Sequence, residues 1–140
     1  MWSNLAMGFL MMLVTTLIHA GFMMITMHRL EAHEQNPHRT ATFHSLVMVG
    51  FTVLVMFAAS LVELSIYAAV YLALGAISGV EPAVYFSTVT FTTLGYGDVV
   101  LDPRWRLLAS FEAANGIIMF GWTTAIVVAA VQRVYASAKR

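Results

Sequence analysis

Cysteine is missing from the 140-residue sequence, and charged side chains make up only 10% of it. Without cysteine the chain has no disulfide framework, no thiol nucleophile and no thiolate metal ligand. Seven Lys and Arg balance seven Asp and Glu, so no basic excess is available to hold nucleic acid. A soluble domain carries about 25% charged residues, whereas this chain is 60% hydrophobic. The composition therefore excludes a soluble enzyme and a disordered chain, and it indicates a small integral membrane protein.

Long apolar stretches are abundant instead, and a membrane-spanning helix needs about 20 such residues. Three stretches are long enough, at about residues 5–27, 46–74 and 107–131. A further apolar stretch at 82–93 is only about a dozen residues long and lies between glycines, so it is too short to cross. We therefore predict an all-α membrane protein with three transmembrane helices and one short re-entrant helix.

Basic residues are distributed unevenly between the connecting regions, and this sets the expected orientation. Five of the seven lie in the 28–44 loop or after the third stretch, whereas Arg104 and Arg106 lie between the second and third stretches. Basic residues favour the cytoplasmic side, so the N-terminus is expected outside and the C-terminus in the cytoplasm. The aromatic residues expected near the outer membrane interface are Trp2, Tyr67, Tyr71 and Trp105.

Residues 92–98 read Thr-Thr-Leu-Gly-Tyr-Gly-Asp and carry the most specific chemical information in the sequence. Gly95 and Gly97, at alternate positions, allow backbone dihedrals that other residues resist. Successive carbonyls can then point to one side, and the Thr93 hydroxyl adds an oxygen at the inner end. Such a row of oxygens can replace the water around a dehydrated monovalent cation. Tyr96 is expected to point away from this row and to brace the strand from behind.

The residues before this segment are predicted to form a short supporting helix. Glu81 and Pro82 are typical of a helix start, and the C-terminal end of the helix, which is negative, would favour a cation nearby. Non-helical backbone at membrane depth must be buried in protein or line a water-filled cavity. Because one chain supplies only one row of oxygens, a closed ring requires several copies.

The segment 81–98 resembles the pore loop of potassium channels, and about 42–135 resembles their two-transmembrane pore domain. The resemblance implies a homotetramer that conducts K⁺ passively, without a covalent reaction and without a cofactor. It implies K⁺ sites at the carbonyls of the first four filter residues and at the Thr93 hydroxyl, with Asp98 at the outer mouth. The selectivity-filter residues are then Thr93, Leu94, Gly95, Tyr96 and Gly97.

This resemblance also predicts how the chain is organised. Residues 1–28 form an extra N-terminal transmembrane helix, 29–44 a cytoplasmic linker, 45–135 the pore domain and 136–140 a cytoplasmic tail. Within the pore domain, the predicted elements are the outer helix 45–75, the pore helix 82–92, the filter 93–98 and the inner helix 105–132.

The inner helix carries further residues to which the resemblance assigns roles. Gly116 lies where the family has a hinge glycine, and Gly121 follows five residues later. Both glycines could equally serve close helix packing, and the two interpretations are compatible. The residues implied to line the cavity and inner gate lie on one helical face by their spacing, and they are Ile117, Phe120, Thr124 and Val128.

The sequence departs from the family pattern in three places. Leu94 stands where valine is commoner, and this affects packing more than ion binding. Val89 occupies a position where some members carry a carboxylate that contacts the filter aspartate, so Asp98 needs another partner, for which Trp105 and Tyr85 are the candidates. The first helix lies outside the pattern, and no helix carries the repeated arginines of a voltage sensor.

Two carboxyl groups lie inside predicted spans, and such groups are functional candidates. Glu63 and Glu112 could meet behind the pore helix and share a proton, or bond to Asn115 or to a pore-helix hydroxyl such as that of Thr90. The simpler interpretation, which we prefer, is a protonated, hydrogen-bonded structural carboxyl. It predicts that Glu112→Gln is tolerated and that Glu112→Leu impairs assembly or opening.

Histidines and methionines give weaker signals. His28, His33, His38 and His44 could sense protons or zinc, but their spacing does not suit a compact metal site, so a solvated loop is expected. His19 is expected to be a satisfied interior histidine rather than a ligand. The methionines of the first helix could bind copper or pack flexibly against neighbouring helices, and packing is expected. They are Met7, Met11, Met12, Met23, Met24 and Met27.

The sequence thus predicts a potassium-selective channel in a bacterial or archaeal plasma membrane. Its expected partners are K⁺, the lipid bilayer and three further copies of the chain, with no nucleic acid and no small-molecule substrate. One alternative is a weakly selective cation channel. Another is a non-conducting accessory subunit that retains a pore-like fold, although such a subunit has no need of Gly95 and Gly97.

Overall fold

The computed structural model describes residues 2–34 and 42–137, and these residues form four helices. The helices are α1 (Trp2–Glu34), α2 (Thr42–Ala73), α3 (Val80–Phe91) and α4 (Arg106–Ser137). Three of them are long and apolar enough to cross a membrane, over Trp2–Ala32, His44–Ala73 and Arg106–Ala136. The predicted all-α membrane architecture is therefore confirmed, and the short α3 is the predicted fourth helix.

The helix bounds differ from the predicted ones at several ends. α1 continues past residue 28 to Glu34, and Leu30 in this last part of the helix is 2% exposed. The predicted linker is correspondingly shorter. α3 begins at Val80 after Gly79, so Pro82 is its third residue rather than its first. α4 runs five residues beyond the predicted end at 132.

α1 packs along both of the other long helices, α2 and α4. Its first turn reaches the start of α4, where the Asn4 amide donates to the Arg104 carbonyl. Further along, Gly8 lies against the ring of Phe111, and Thr26 contacts Met56 of α2. α1 therefore runs parallel to α4 and antiparallel to α2.

An apolar cluster beside α3 joins all four helices. It contains buried residues of each helix and of the segment before α4, namely Met11, Tyr67, Tyr71, Phe86, Leu101 and Leu108. The Tyr71 and Phe86 rings meet edge to face with centroids 5.2 Å apart. Both tyrosine side chains are fully buried within this cluster, so neither presents its ring to lipid as an interfacial anchor does.

Candidate ion-conduction site

The segment after α3 alternates between two backbone conformations. Thr93, Gly95 and Gly97 have positive φ of 61°, 53° and 79°, whereas Leu94 and Tyr96 between them do not. Alternation of this kind turns successive peptide groups so that their carbonyls can face one side. Positive φ costs an L-residue about 1–2 kcal/mol, so Thr93 is strained. The glycine spacing predicts unusual dihedrals at Gly95 and Gly97 but not at this third position.

Backbone hydrogen bonds tie the strained segment to the last turns of α3. The Thr93 N–H donates to the Thr90 carbonyl at 2.9 Å. The N–H groups of Leu94 and Gly95 both donate to the Val89 carbonyl, at 2.9 and 3.2 Å. The position of α3 therefore sets the position of the inner half of the segment.

Residues 92–98 are exposed on the surface of the single chain. The Tyr96 side chain is 67% exposed and Leu94 is 55% exposed. The predicted brace by Tyr96 is therefore not formed within one chain. Residues 92–98 are non-helical, and such backbone at membrane depth must be covered by protein or line a water-filled cavity.

The outer end of the segment is held by Tyr85 of α3. Its hydroxyl donates to Asp98 Oδ2 at 2.6 Å, and the Val99 N–H donates to Oδ1 at 3.0 Å. The Tyr85 bond, with the Val99 bond, holds the pKa of the Asp98 carboxyl below its ordinary value. Of the two candidate partners, Tyr85 is thus the one that bonds Asp98. The indole nitrogen of Trp105 is buried and has no hydrogen-bond partner within the described residues.

With Asp98 at the outer mouth of an ion channel, as the sequence predicts, removing the Tyr85 hydroxyl is expected to make ion flux more sensitive to acid. In Tyr85→Phe the Asp98 pKa rises toward its ordinary value, so Asp98 loses its charge at a higher pH. A negative charge at a pore mouth concentrates cations, and its loss slows their entry. We therefore expect the pH midpoint of acid inhibition to move upward in flux measured across a pH series at low ionic strength. Tyr135→Phe, at the far end of α4, is the control and should leave the midpoint unchanged.

The inner helix α4 approaches the end of α3 very closely at Gly116. A methyl group built on Gly116 would lie 1.9 Å from the carbonyl oxygen of Phe91. The structure therefore supports the packing interpretation of Gly116, and the hinge role stays a separate prediction about gating. At Gly121 no atom of the described residues, apart from the backbone of its own helix, lies within 4 Å of the corresponding position.

The residues predicted to line a cavity form an exposed stripe on α4. The side chain of Ile117 is 61% exposed, Phe120 40% and Val128 48%, and Thr124 is exposed beside them. Phe120 also meets Phe91 edge to face, with ring centroids 5.7 Å apart. This stripe therefore begins beside the end of α3, where the strained segment starts.

A protein-family model described as an ion channel matches residues 59–133, just over half of the chain. The chain belongs to this ion channel family. The matched range takes in α3, residues 92–98, the C-terminal part of α2 from residue 59 and most of α4, and it leaves α1 outside. No curated protein and no solved structure matches the chain.

Glu112 of the channel joins three helices. Tyr71 of α2 donates to its Oε2 at 2.6 Å, and Ser87 of α3 contacts its Oε1. The Ser87 hydroxyl also lies 2.6 Å from the Leu64 carbonyl. The predicted bond to a pore-helix hydroxyl is therefore present, but the hydroxyl is that of Ser87 and not that of Thr90.

Glu63 lies in a separate pair with His19 of α1. Nδ1 of His19 is 2.8 Å from Glu63 Oε1, and both side chains are fully buried. The other ring nitrogen of His19 lies 3.4 Å from the Thr123 hydroxyl of α4. His19 is thus a bonded interior residue. Glu63 and Glu112 have different partners, so the sharing of a proton between them has no support in the channel structure.

Asn115 completes the polar contacts of α1. Its amide group donates to the Thr15 hydroxyl at 2.9 Å. The predicted bond between Asn115 and a buried carboxyl is not among those of the described residues, and Asn115 bonds Thr15 of α1 instead. The sequence does not indicate this pair, because a threonine in an apolar helix usually bonds its own backbone, as Thr15 also does at the Met11 carbonyl.

The remaining histidines are spread out where they are described. His28 is 74% exposed and lies 3.8 Å from Glu31, one turn away on α1. His44 lies in α2, whereas His38 and the side chain of His33 lie outside the described residues. Within 2–34 and 42–137, no three His, Asp or Glu side chains are placed to hold a metal ion. The α1 methionines range from buried Met11 to Met24, which is 59% exposed.

Proposed function

We propose that the protein is a potassium-selective channel that conducts K⁺ passively through a filter formed by four copies of the chain. The alternation of positive φ at Thr93, Gly95 and Gly97 carries this proposal, because it allows carbonyls to face one axis. Four strands around that axis would surround a dehydrated cation with rings of oxygens. In this assembly the carbonyls of 93–96 and the Thr93 hydroxyl bind K⁺.

The exposed surface of the single chain supports assembly into a ring. Residues 92–98 and the α4 stripe of Ile117, Phe120, Thr124 and Val128 are exposed in the same chain. In a tetramer the filter strands would cover one another, Tyr96 would pack behind the filter, and the stripe would line a water-filled cavity. The inner helix is the proposed gate, at Gly116 and below it. Following the distribution of basic residues, the N-terminus lies outside and the C-terminus in the cytoplasm of a prokaryotic plasma membrane.

Ion flux from liposomes tests this proposal. The purified protein, shown to be a tetramer by crosslinking, is reconstituted into liposomes loaded with K⁺ or Na⁺. We expect K⁺ flux that barium blocks, with much less Na⁺ flux. Equal K⁺ and Na⁺ flux would support a weakly selective cation channel instead. No barium-sensitive flux from a confirmed tetramer would support a non-conducting subunit.

A further inference from the structure

A chain of short oxygen contacts connects α2, α4 and α3 at Glu112. Tyr71 Oη lies 2.6 Å from Glu112 Oε2, Ser87 Oγ contacts Oε1, and the same Ser87 oxygen lies 2.6 Å from the Leu64 carbonyl. The side chains of Glu112, Tyr71 and Ser87 are fully buried. Each contact needs one hydrogen, because two oxygens at this distance without a hydrogen between them repel each other.

The available hydroxyl groups supply only two of the three hydrogens. The Tyr71 hydroxyl has one and donates it to Glu112. The Ser87 hydroxyl has one, and the Leu64 carbonyl can only accept, so that hydrogen lies between Ser87 and Leu64. The contact between Ser87 and Glu112 therefore takes its hydrogen from Glu112. We propose that Glu112 is a neutral carboxylic acid that donates to Ser87 and thereby positions the pore helix and its filter.

The position of Ser87 explains how this bond reaches the filter. Ser87 lies on α3 two residues before Val89, whose carbonyl accepts from the N–H groups of Leu94 and Gly95. A shift of α3 at Ser87 therefore displaces the inner half of the filter. Glu112 is a positioning residue in this scheme, because it acts through Ser87 and does not contact an ion.

Infrared spectroscopy and two substitutions at Glu112 test the proposal. The difference spectrum between native protein and Glu112→Gln, at neutral pH, should show the loss of one protonated carboxyl C=O band. Glutamine can accept from Tyr71 and donate to Ser87, so Glu112→Gln should keep flux within about twofold of native and keep K⁺ preference over Na⁺. Glu112→Leu leaves buried partners unsatisfied and should lower flux about tenfold or reduce K⁺ preference.

Exposed Glu31 provides the matched control. Glu31→Gln should leave the protonated carboxyl band and the flux unchanged. The proposal is wrong if Glu112→Gln removes only a carboxylate band, or if Glu112→Gln is as damaging as Glu112→Leu. Only the flux measurements rest on the proposed potassium-channel function. The infrared result does not depend on conduction, so it tests the protonation of Glu112 even if that function is wrong.

A second, independent inference follows from the contacts between α1 and α4. At 100° per residue, Phe111, Asn115 and Trp122 form one stripe of α4. Gly8, Thr15 and His19 of α1 lie against this stripe, and the His19 and Trp122 ring centroids are 6.1 Å apart. The proposed cavity stripe lies on the opposite side of α4. We infer that α1 is a brace that resists outward movement of the inner helix when the pore opens.

Disulfide crosslinking tests the brace, and the native chain has no cysteine to interfere. Thr15→Cys/Asn115→Cys joins α1 to α4 beside Gly116, where the two native side chains are in contact. A disulfide strengthens the hold of α1 on α4 against this outward movement, so we expect oxidation to lower flux several-fold and reductant to restore it. A short thiol-reactive linker provides a second way of joining the same pair.

Each single cysteine variant is the control and should not respond to oxidant. Complete crosslinking with unchanged flux would overturn the brace. This inference rests on the proposed channel function, and the reduced double variant distinguishes the two failures. If neither the reduced double variant nor the native protein conducts, the proposed function is wrong. If the double variant conducts equally well with and without the crosslink, only the brace is contradicted.

Discussion

Gly116→Ala is expected to prevent α3 and α4 from packing and to leave little assembled protein. The new methyl group would lie 1.9 Å from the Phe91 carbonyl oxygen, 2.9 Å from its carbon and 3.3 Å from its Cα. All three atoms are backbone, so no side chain can rotate away, and the helices must separate where the filter begins. Overpacking of a core costs about 1–3 kcal/mol or more, and a tetramer would incur it four times. Size-exclusion chromatography and thermal unfolding in detergent measure the effect.

Gly121→Ala is the matched control for this prediction. Gly121 lies on the same helix, and among the described residues a methyl group there would meet no atom within 4 Å outside its own helix backbone. Alanine is also the better helix former by about 1 kcal/mol, so this variant should assemble normally. If Gly116 served only as a hinge, Gly116→Ala would assemble as well as Gly121→Ala and would change gating alone. Normal yield and thermal stability of Gly116→Ala would therefore contradict the packing account.

His19→Leu is expected to be the most damaging single substitution in α1. It leaves the Glu63 carboxyl fully buried without the partner that now lies 2.8 Å away. The second carboxyl oxygen, Oε2, already has no hydrogen-bond partner within the described residues. A buried polar group left without its hydrogen-bond partner costs about 1–3 kcal/mol, and more if it is charged. We expect a large fall in thermal stability, together with increased proteolysis between α1 and α2.

The double variant His19→Leu/Glu63→Leu should recover most of this loss. Replacing both members of a buried pair by apolar side chains is often neutral or stabilising. A double-mutant cycle on thermal stability would then show a large coupling between the two positions. His28→Leu is the control, since His28 is 74% exposed. If His19→Leu and His28→Leu have the same small effect, the buried pair does not hold α1 to the pore domain.

The candidate filter was largely predictable because its signal is local. Gly95 and Gly97 lie two residues apart, and the helix that supports them immediately precedes them, so no distant contact is needed to recognise the motif. Thr93 was missed as a strained position because its positive φ of 61° depends on bonds to α3. Threonine itself disfavours that conformation, so residue type predicted the opposite.

The partners of the buried polar groups were not predictable from local sequence. His19 and Glu63 are 44 residues apart, and Thr15 and Asn115 are 100 apart. Tyr71 was placed at the membrane interface because aromatic residues usually anchor there. Tyr71 is buried because α3 and α4 pack over it, and the sequence of α2 alone does not indicate that packing.

The amino-acid sequence was enough to establish an all-α membrane protein with three helices long enough to span. It was also enough to predict where the candidate filter lies. Both follow from composition, from the length of apolar runs and from short-range glycine spacing. Only the tertiary structure decided which side of each helix faces protein, and with it the place of α1, the partners of Glu63 and Glu112 and the contact at Gly116. Lipid is as apolar as a helix interface, so hydrophobic pattern cannot separate a lipid-facing side from a packed one.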